Sequence, residues 1–236
     1  MKAVAIGPGT ESSVAVPPAQ RRPTMSDVWA NPQVRRVVGA PRLKFQRSVA
    51  KNRLSGIAPG SFVHLGCGLQ RLEGWVNVDN NRASGAEILI DLRAGFPAPA
   101  GSVRMAFSEH VIEHLEPADS KRWLADLHAS MLPGGVVRIA TPDLAHLVGS
   151  YLQDWRDQDW VRAPGFGYLT NGASMLNLAM RGWGHRFVFD EESLTELLVS
   201  AGFGRVVRCR FGESEHPELS SKERRIDSKL ILEARR

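Results

Sequence analysis

The chain has only two cysteines and two tyrosines in 236 residues, and it contains no run of 18 consecutive apolar residues. Two cysteines, Cys67 and Cys209, exclude a disulfide scaffold, and neither has the neighbours that a zinc or redox motif demands. The missing apolar run excludes a single-helix membrane span. At the start, one lysine and a few apolar residues are interrupted by Gly7, Pro8 and Gly9, which is not the pattern of a signal peptide, so a cytoplasmic protein is expected. No internal repeat is present, and no aromatic-rich strand motif of the kind that stacks RNA bases. After Gly66 and Gly68 there is no third glycine opening a long helix, which disfavours a dinucleotide fingerprint and an NAD enzyme.

A hydrophobic share of 43% in 236 residues is enough for one domain with a proper core. Residues 1–25 are rich in Pro, Gly, Ser and Ala without periodicity and are expected to be disordered. Residues 26–56 form a basic extension, expected to be helical over 32–38 and 43–54. Between Arg21 and Arg53, nine Lys or Arg stand against one acid, Asp27. Such a run either covers a sheet edge or a partner subunit with its charges solvated, or meets phosphate in a nucleic acid or an activated sugar. Residues 57–236 are expected to form the main domain.

Residues 61–79, SFVHLGCGLQRLEGWVNVD, read as strand, glycine turn, strand. Glycines after a first parallel strand let the backbone pass close to a ligand, and an acid closing the second strand, Asp79, can accept both hydroxyls of a ribose. Only six residues, 69–74, separate turn from strand, whereas a parallel crossover usually needs about 10–12. The first crossover helix is therefore reduced to about one turn. Further apolar runs follow at 88–92, ending on Asp91 and Leu92, at 103–107 before Ser108, and at 136–140 after Pro133, Gly134 and Gly135.

This order resembles the class I S-adenosylmethionine-dependent methyltransferases. The resemblance implies a Rossmann-like α/β fold, with a mostly parallel seven-stranded sheet, helices on both faces and an antiparallel closing hairpin. It places S-adenosylmethionine against Gly66, Cys67 and Gly68, its ribose on Asp79 and Asn80, its adenine by Asp91 and Leu92, and its methyl group near Ser108. The shortened GCG turn, with SEHVIEHL at 108–115, TPDL at 141–144, WGH at 183–185 and FGESEHP at 211–217, is similar to a smaller group associated with polysaccharide biosynthesis. More loosely it resembles the sugar O-methyltransferases of methylmannose polysaccharide assembly.

Along the chain, residues 120–132 carry Trp123, Leu124, Leu127 and Met131 at helical spacing, and the Pro-Gly-Gly that follows is expected to stop that helix. Residues 145–188 form a substrate-side insertion with Trp155, Trp160, Tyr168 and Trp183, whose aromatic faces suit a sugar ring or a neighbouring subunit. Asp190 is placed to cap the next helix and Gly202 to end it. Residues 205–211 and 229–233 would make the hairpin, and the link between them is expected to return Glu213 and His216 to the substrate.

Methyl transfer to a sugar hydroxyl needs an in-line nucleophile and gains from a base. His110, directly after the fourth strand, is the first candidate, followed by His146 and His185, one of them oriented by Asp143. Glu109, Trp183, Glu213 and His216 are the candidate acceptor contacts. His64, His114 and His128 are read as structural. Glu109, Asp143, His146 and His185 could assemble a magnesium site, but no spacing demands a metal. The expected partner is a small-molecule or oligosaccharide acceptor, with a homodimer plausible. The competing functions are an RNA methyltransferase and a non-catalytic cofactor-binding scaffold.

Overall fold

The computed structural model describes residues 40–236, with side chains from Leu43 onward. The segment expected to be disordered, 1–25, and the expected helix at 32–38 lie outside the described residues. Seven strands form one sheet: β1 (Ser61–Leu65), β2 (Val76–Asp79), β3 (Ile88–Leu89), β4 (Val103–Glu109), β5 (Met131–Thr141), β6 (Val206–Arg208) and β7 (Leu230–Arg235), in the order β3-β2-β1-β4-β5-β7-β6. The pairs from β3 through β5 are parallel, and β7 runs antiparallel to both β5 and β6. This is the expected mostly parallel seven-stranded sheet with its antiparallel closing hairpin. The strand order turns back between β1 and β4, so their carboxyl ends open a crevice where open α/β sheets bind ligands.

Helices α1 (Ala40–Leu54), α2 (Pro117–Ser130) and α5 (Glu191–Ser200) bury Ala50, Leu54, Trp123, Leu124, Leu127, Leu194, Leu197 and Leu198 in one core with Val63, Leu65, Ala106 and Ile139 of the sheet. Two cations of the basic extension are tied down here. Arg47 donates to Asp126 Oδ1 at 2.7 Å and to the Ala94 carbonyl at 3.2 Å, and Arg53 donates to the Leu89 carbonyl on the edge strand β3. Lys44 and Lys51 remain exposed. On the other face, Met105, Phe107 and Val136 pack with Trp75, Leu219, Phe62 and Leu72.

Helix α2 begins at Pro117, three residues before the expected start, because a proline in the first turn loses no intrahelical bond there. It stops at Ser130, and β5 begins before the Pro-Gly-Gly rather than after it. Met131 already pairs with Val103, and the register shifts before Val136 meets Met105. A Cβ on Gly135 would stand 2.8 Å from the Arg104 carbonyl, so the backbone needs glycine to pass. Strand β4 likewise runs on to Glu109, paired with Ala140.

Residues 66–75 contain no helix at all, a step beyond the single turn expected. The side chain of Asn77, 1% exposed, takes the place of helical bonding. Its Oδ1 accepts from the Leu72 amide at 2.8 Å, and its Nδ2 donates to the Leu72 and Trp75 carbonyls at 3.0 Å. One buried amide thus satisfies backbone groups that a crossover helix would satisfy internally.

The insertion folds into α3 (Leu144–Leu152) and α4 (Gly172–Arg181) around Leu147, Met175, Ala179 and Val188. Asp190 caps α5 in a reciprocal pair with Ser193, and Gly202, with φ of 107°, follows its end. Among the described residues no helix is long and apolar enough to cross a membrane.

Candidate functional site

A cavity of about 750 Å³ opens at the carboxyl ends of β1, β2 and β4. Gly66, Cys67, Gly68, Asp79, Asn80, Asp91 and Leu92 all line it, so the predicted cofactor residues meet in one place. Gly66 (φ 74°) and Gly68 (φ 52°) both adopt left-handed backbone. A Cβ on Gly66 would meet Val111 Cγ2 at 2.1 Å, whereas one on Gly68 meets nothing within 4 Å and would project into open space. Asp79 fixes the turn: its Oδ2 accepts from the Gly68 amide at 2.8 Å and its Oδ1 from the Asn81 amide at 2.7 Å. Each carboxylate oxygen retains a further lone pair for a ligand hydroxyl. Asp91 caps the 3-10 turn Leu92–Ala94 and chelates the guanidinium of Arg93. Cys67 is buried, and that burial pushes its thiol pKa up, so it packs as a neutral group. Ser108 is the exception: it is 1% exposed within β4, does not line the cavity, and its Oγ lacks a hydrogen-bond partner among the described residues.

The same cavity is lined by His110, Val111, His114, Gly184, Arg186 and Arg225. His110 has φ of 52°, a left-handed conformation unusual for a residue with a Cβ, and its amide donates to the Ala140 carbonyl at 2.9 Å. Its Nδ1 lies 3.1 Å from Glu113 Oε1, within ion-pair distance but off the angle of a good hydrogen bond, and its Nε2 lies 3.6 Å from Asp227 Oδ1. Glu113 is fully buried, and its Oε2 accepts from Thr141 Oγ1 at 3.0 Å. Burial works to raise the Glu113 pKa, but His110, the backbone and His114 together outweigh it and hold the carboxyl below its ordinary value. The Glu113 carbonyl accepts from the Arg186 and Phe187 amides, which fastens the end of the insertion to the site.

His185 Nδ1 lies 2.7 Å from the Ala179 carbonyl oxygen, which can only accept, so Nδ1 carries the proton and Nε2 presents a lone pair. Burial lowers the His185 pKa and favours this neutral form. The His185 ring packs edge-on to His114, with centroids 4.9 Å apart. His114 therefore belongs to the cavity and is not merely packing. Nor do His110 and His114 share a helical face, because the left-handed turn at His110 precedes a separate 3-10 turn, Ile112–His114.

Four other expectations are corrected. Asp143 caps α3 through the Ala145 amide at 2.9 Å and pairs with Arg208 at 2.8 Å, so it orients no histidine by a hydrogen bond. It lines a narrow neighbouring cleft with His146 and Trp183, outside the main cavity. Glu109 does line the main cavity, but its carboxylate accepts from the Arg224 amide (3.0 Å), the Arg225 amide (3.0 Å) and Ser228 Oγ (2.8 Å), so it clamps a loop. Glu213 and His216 line a separate cavity of about 440 Å³ against the closing hairpin. The link does return to the site, but it delivers Arg225 and Asp227 instead. Of the residues first proposed for a magnesium site, only His185 belongs to a grouping of potential ligands, and its companions are Glu113 and His114.

His64, expected to be structural, is 4% exposed but also lines the cavity; its Nδ1 lies 3.3 Å from Asn77 Oδ1, and burial pushes its pKa down to about 4. Sequence reasoning passed over Glu113, although HVIEH displays it plainly, because an acid in a helical-looking run gives no sign of total burial. Arg225 and Asp227 carry no local signal, since only tertiary folding brings a segment 115 residues distant to β4.

Comparison with solved structures finds a SAM-dependent methyltransferase from Archaeoglobus fulgidus at 14% identity, with 82% of this chain and 91% of that chain covered and a TM-score of 0.45. An S-adenosylmethionine-dependent methyltransferase from Mesorhizobium loti is 18% identical, with 84% and 97% covered and a TM-score of 0.45. A possible histamine N-methyltransferase from Thermotoga maritima is 16% identical, with 82% and 90% covered and the same TM-score, 0.45. Comparison with curated proteins finds no match. The family model of the methyltransferase domain matches residues 42–207, which takes in β1 through β5 and reaches into β6, more than two thirds of the chain. The chain belongs to the methyltransferase-domain family.

Proposed function

We propose that this protein is an S-adenosylmethionine-dependent O-methyltransferase acting on a hydroxyl of a sugar or oligosaccharide, of the kind used in polysaccharide biosynthesis. The observation that carries the reading is one cavity with two unlike sets of lining residues. A glycine turn with Asp79 and Asp91 shares it with histidines and arginines.

The residues present fit the cofactor. Gly68 opens a cradle that a Cβ would fill, Asp79 and Asn80 present acceptors for ribose hydroxyls, and Asp91 with Leu92 offers a polar and an apolar contact to a purine. S-adenosylmethionine, when bound, supplies a methyl group already activated by its sulfonium. The protein's own work is then positioning and proton handling.

His110 is the general base of this reading. Glu113 beside Nδ1 favours a proton on that nitrogen, which leaves the Nε2 lone pair, buried beside Asp227 until an acceptor enters, to take the acceptor's hydroxyl proton. Asp227, 3.6 Å from Nε2, then stabilises the imidazolium. Arg186 and Arg225 on the rim match the hydroxyls or phosphates of a sugar acceptor better than an apolar substrate.

The test is incubation with methyl-labelled S-adenosylmethionine and, in parallel, a panel of mono- and oligosaccharides and total RNA, followed by location of the methyl group. Label on sugar oxygen supports the reading. Label only on RNA overturns the acceptor, and failure to bind S-adenosylhomocysteine overturns the cofactor as well. Arg47 and Arg53, bonded within the chain, weigh against the RNA alternative.

A further inference from the structure

We propose that Glu113, His114 and His185 form a binding site for a divalent transition-metal ion such as Zn²⁺, Co²⁺ or Mn²⁺, at the acceptor side of the cavity. Placing the ion on the acceptor side rests on the methyltransferase reading; the ligand set does not. One ligand atom from each residue lies within 4.8 Å of the other two.

Three independent features point to a cation. First, Glu113 is 0% exposed, and the one polar neighbour of its Oε1 given among the described residues is His110 Nδ1, at 3.1 Å and off the angle of a good hydrogen bond. A buried carboxylate oxygen left so is costly unless a charge completes it. Second, His185 has the orientation of a metal ligand, with Nδ1–H fixed on a backbone carbonyl at 2.7 Å and Nε2 free to coordinate. Third, the other oxygen of Glu113 accepts from Thr141 at 3.0 Å, which holds the carboxylate in place as an outer hydrogen bond does for a metal-bound acid.

Two imidazoles and one carboxylate select the ion. Magnesium and calcium prefer oxygen-only surroundings, whereas imidazole suits zinc and its first-row neighbours. Metal–nitrogen bonds of about 2.0–2.1 Å require the three side chains to draw together by about 1 Å. His114 and His185 are half-buried. His114 and Gly184 line the cavity, so an ion held here would lie at its edge, within reach of a hydroxyl-bearing acceptor.

The experiment uses tag-free protein stripped with a chelator and titrated with Co²⁺, read by visible absorption and by calorimetry. The same preparation is titrated with S-adenosylhomocysteine. Wild type should show cobalt ligand-field bands saturating near one equivalent. His185→Ala and Glu113→Gln should each weaken cobalt at least tenfold, while His185→Ala keeps its circular dichroism and its S-adenosylhomocysteine affinity. Because Glu113→Gln tests a buried group that folding itself needs, the half-buried His185 variant decides. No bands in wild type, or unchanged cobalt affinity in His185→Ala, overturns the site. Cobalt binding without S-adenosylhomocysteine binding supports the metal site and overturns the methyltransferase reading, and the reverse result overturns the site alone.

Discussion

Asp79 Oδ2 lies 2.8 Å from the Gly68 amide, so the acid that closes β2 also sets the turn that follows β1. Two glycines in that turn serve different ends, and substitution separates them. Gly68→Ala adds a Cβ that meets no protein atom, so stability should fall only by the left-handed penalty of about 1 kcal/mol. S-adenosylhomocysteine affinity should nevertheless drop at least tenfold. Gly66→Ala drives a Cβ into Val111 and should destabilise the fold by roughly 2–4 kcal/mol. Urea unfolding with calorimetry on both variants checks the contrast; equal stability losses would contradict it.

His110→Gln should keep S-adenosylhomocysteine affinity within about twofold while turnover falls roughly 10²- to 10⁴-fold. Single-turnover rates beside binding isotherms measure this. Unchanged turnover removes His110 from proton transfer.

His64 provides a pH test. Its folded pKa, about 4, lies below the ordinary 6.5, so the native state holds the neutral ring. Its contribution is fully present above pH 6.5, is lost as pH falls towards 4, and levels off below that. The expected loss is about 2 kcal/mol between pH 7.5 and 5. In His64→Gln that part of the pH dependence should vanish, as denaturant melts at the two pH values will show.

Arg138, 0% exposed in β5, pairs with Glu223 and, at 2.6 Å, with Glu233, and donates to the Arg210 carbonyl at 3.1 Å. Burial alone would lower its pKa, but the two carboxylates outweigh burial and raise it. Arg138→Met strands two carboxylates and should cost about 3–5 kcal/mol, part of which Glu223→Gln in the same chain should restore. Thermal melts of the single and double variants measure both effects.

Glu109→Ala removes the acceptor for the Arg224 and Arg225 amides. Hydrogen exchange at those amides should accelerate at least tenfold while β4 stays protected. Since the same loop carries Asp227 to His110, turnover should fall with it.

Local chemistry in the sequence determined the strands and the cofactor wall. Apolar runs bounded by glycines or acids define β1, β2 and β4, and Gly66, Gly68, Asp79 and Asp91 lie within a few residues of strand ends, where the parallel sheet necessarily gathers them. Tertiary structure alone decided the other wall. Whether an acid is a cap, a clamp or a buried orphan depends on what folds over it from afar. Asp143 was met by Arg208 and Glu109 by the amides of Arg224 and Arg225, whereas Glu113 was sealed beside His110, His114 and His185 with one oxygen left to the His110 imidazole. The pairings with Arg208, with the 224–225 amides and with His185 span long stretches of chain, and no short-range pattern encodes them.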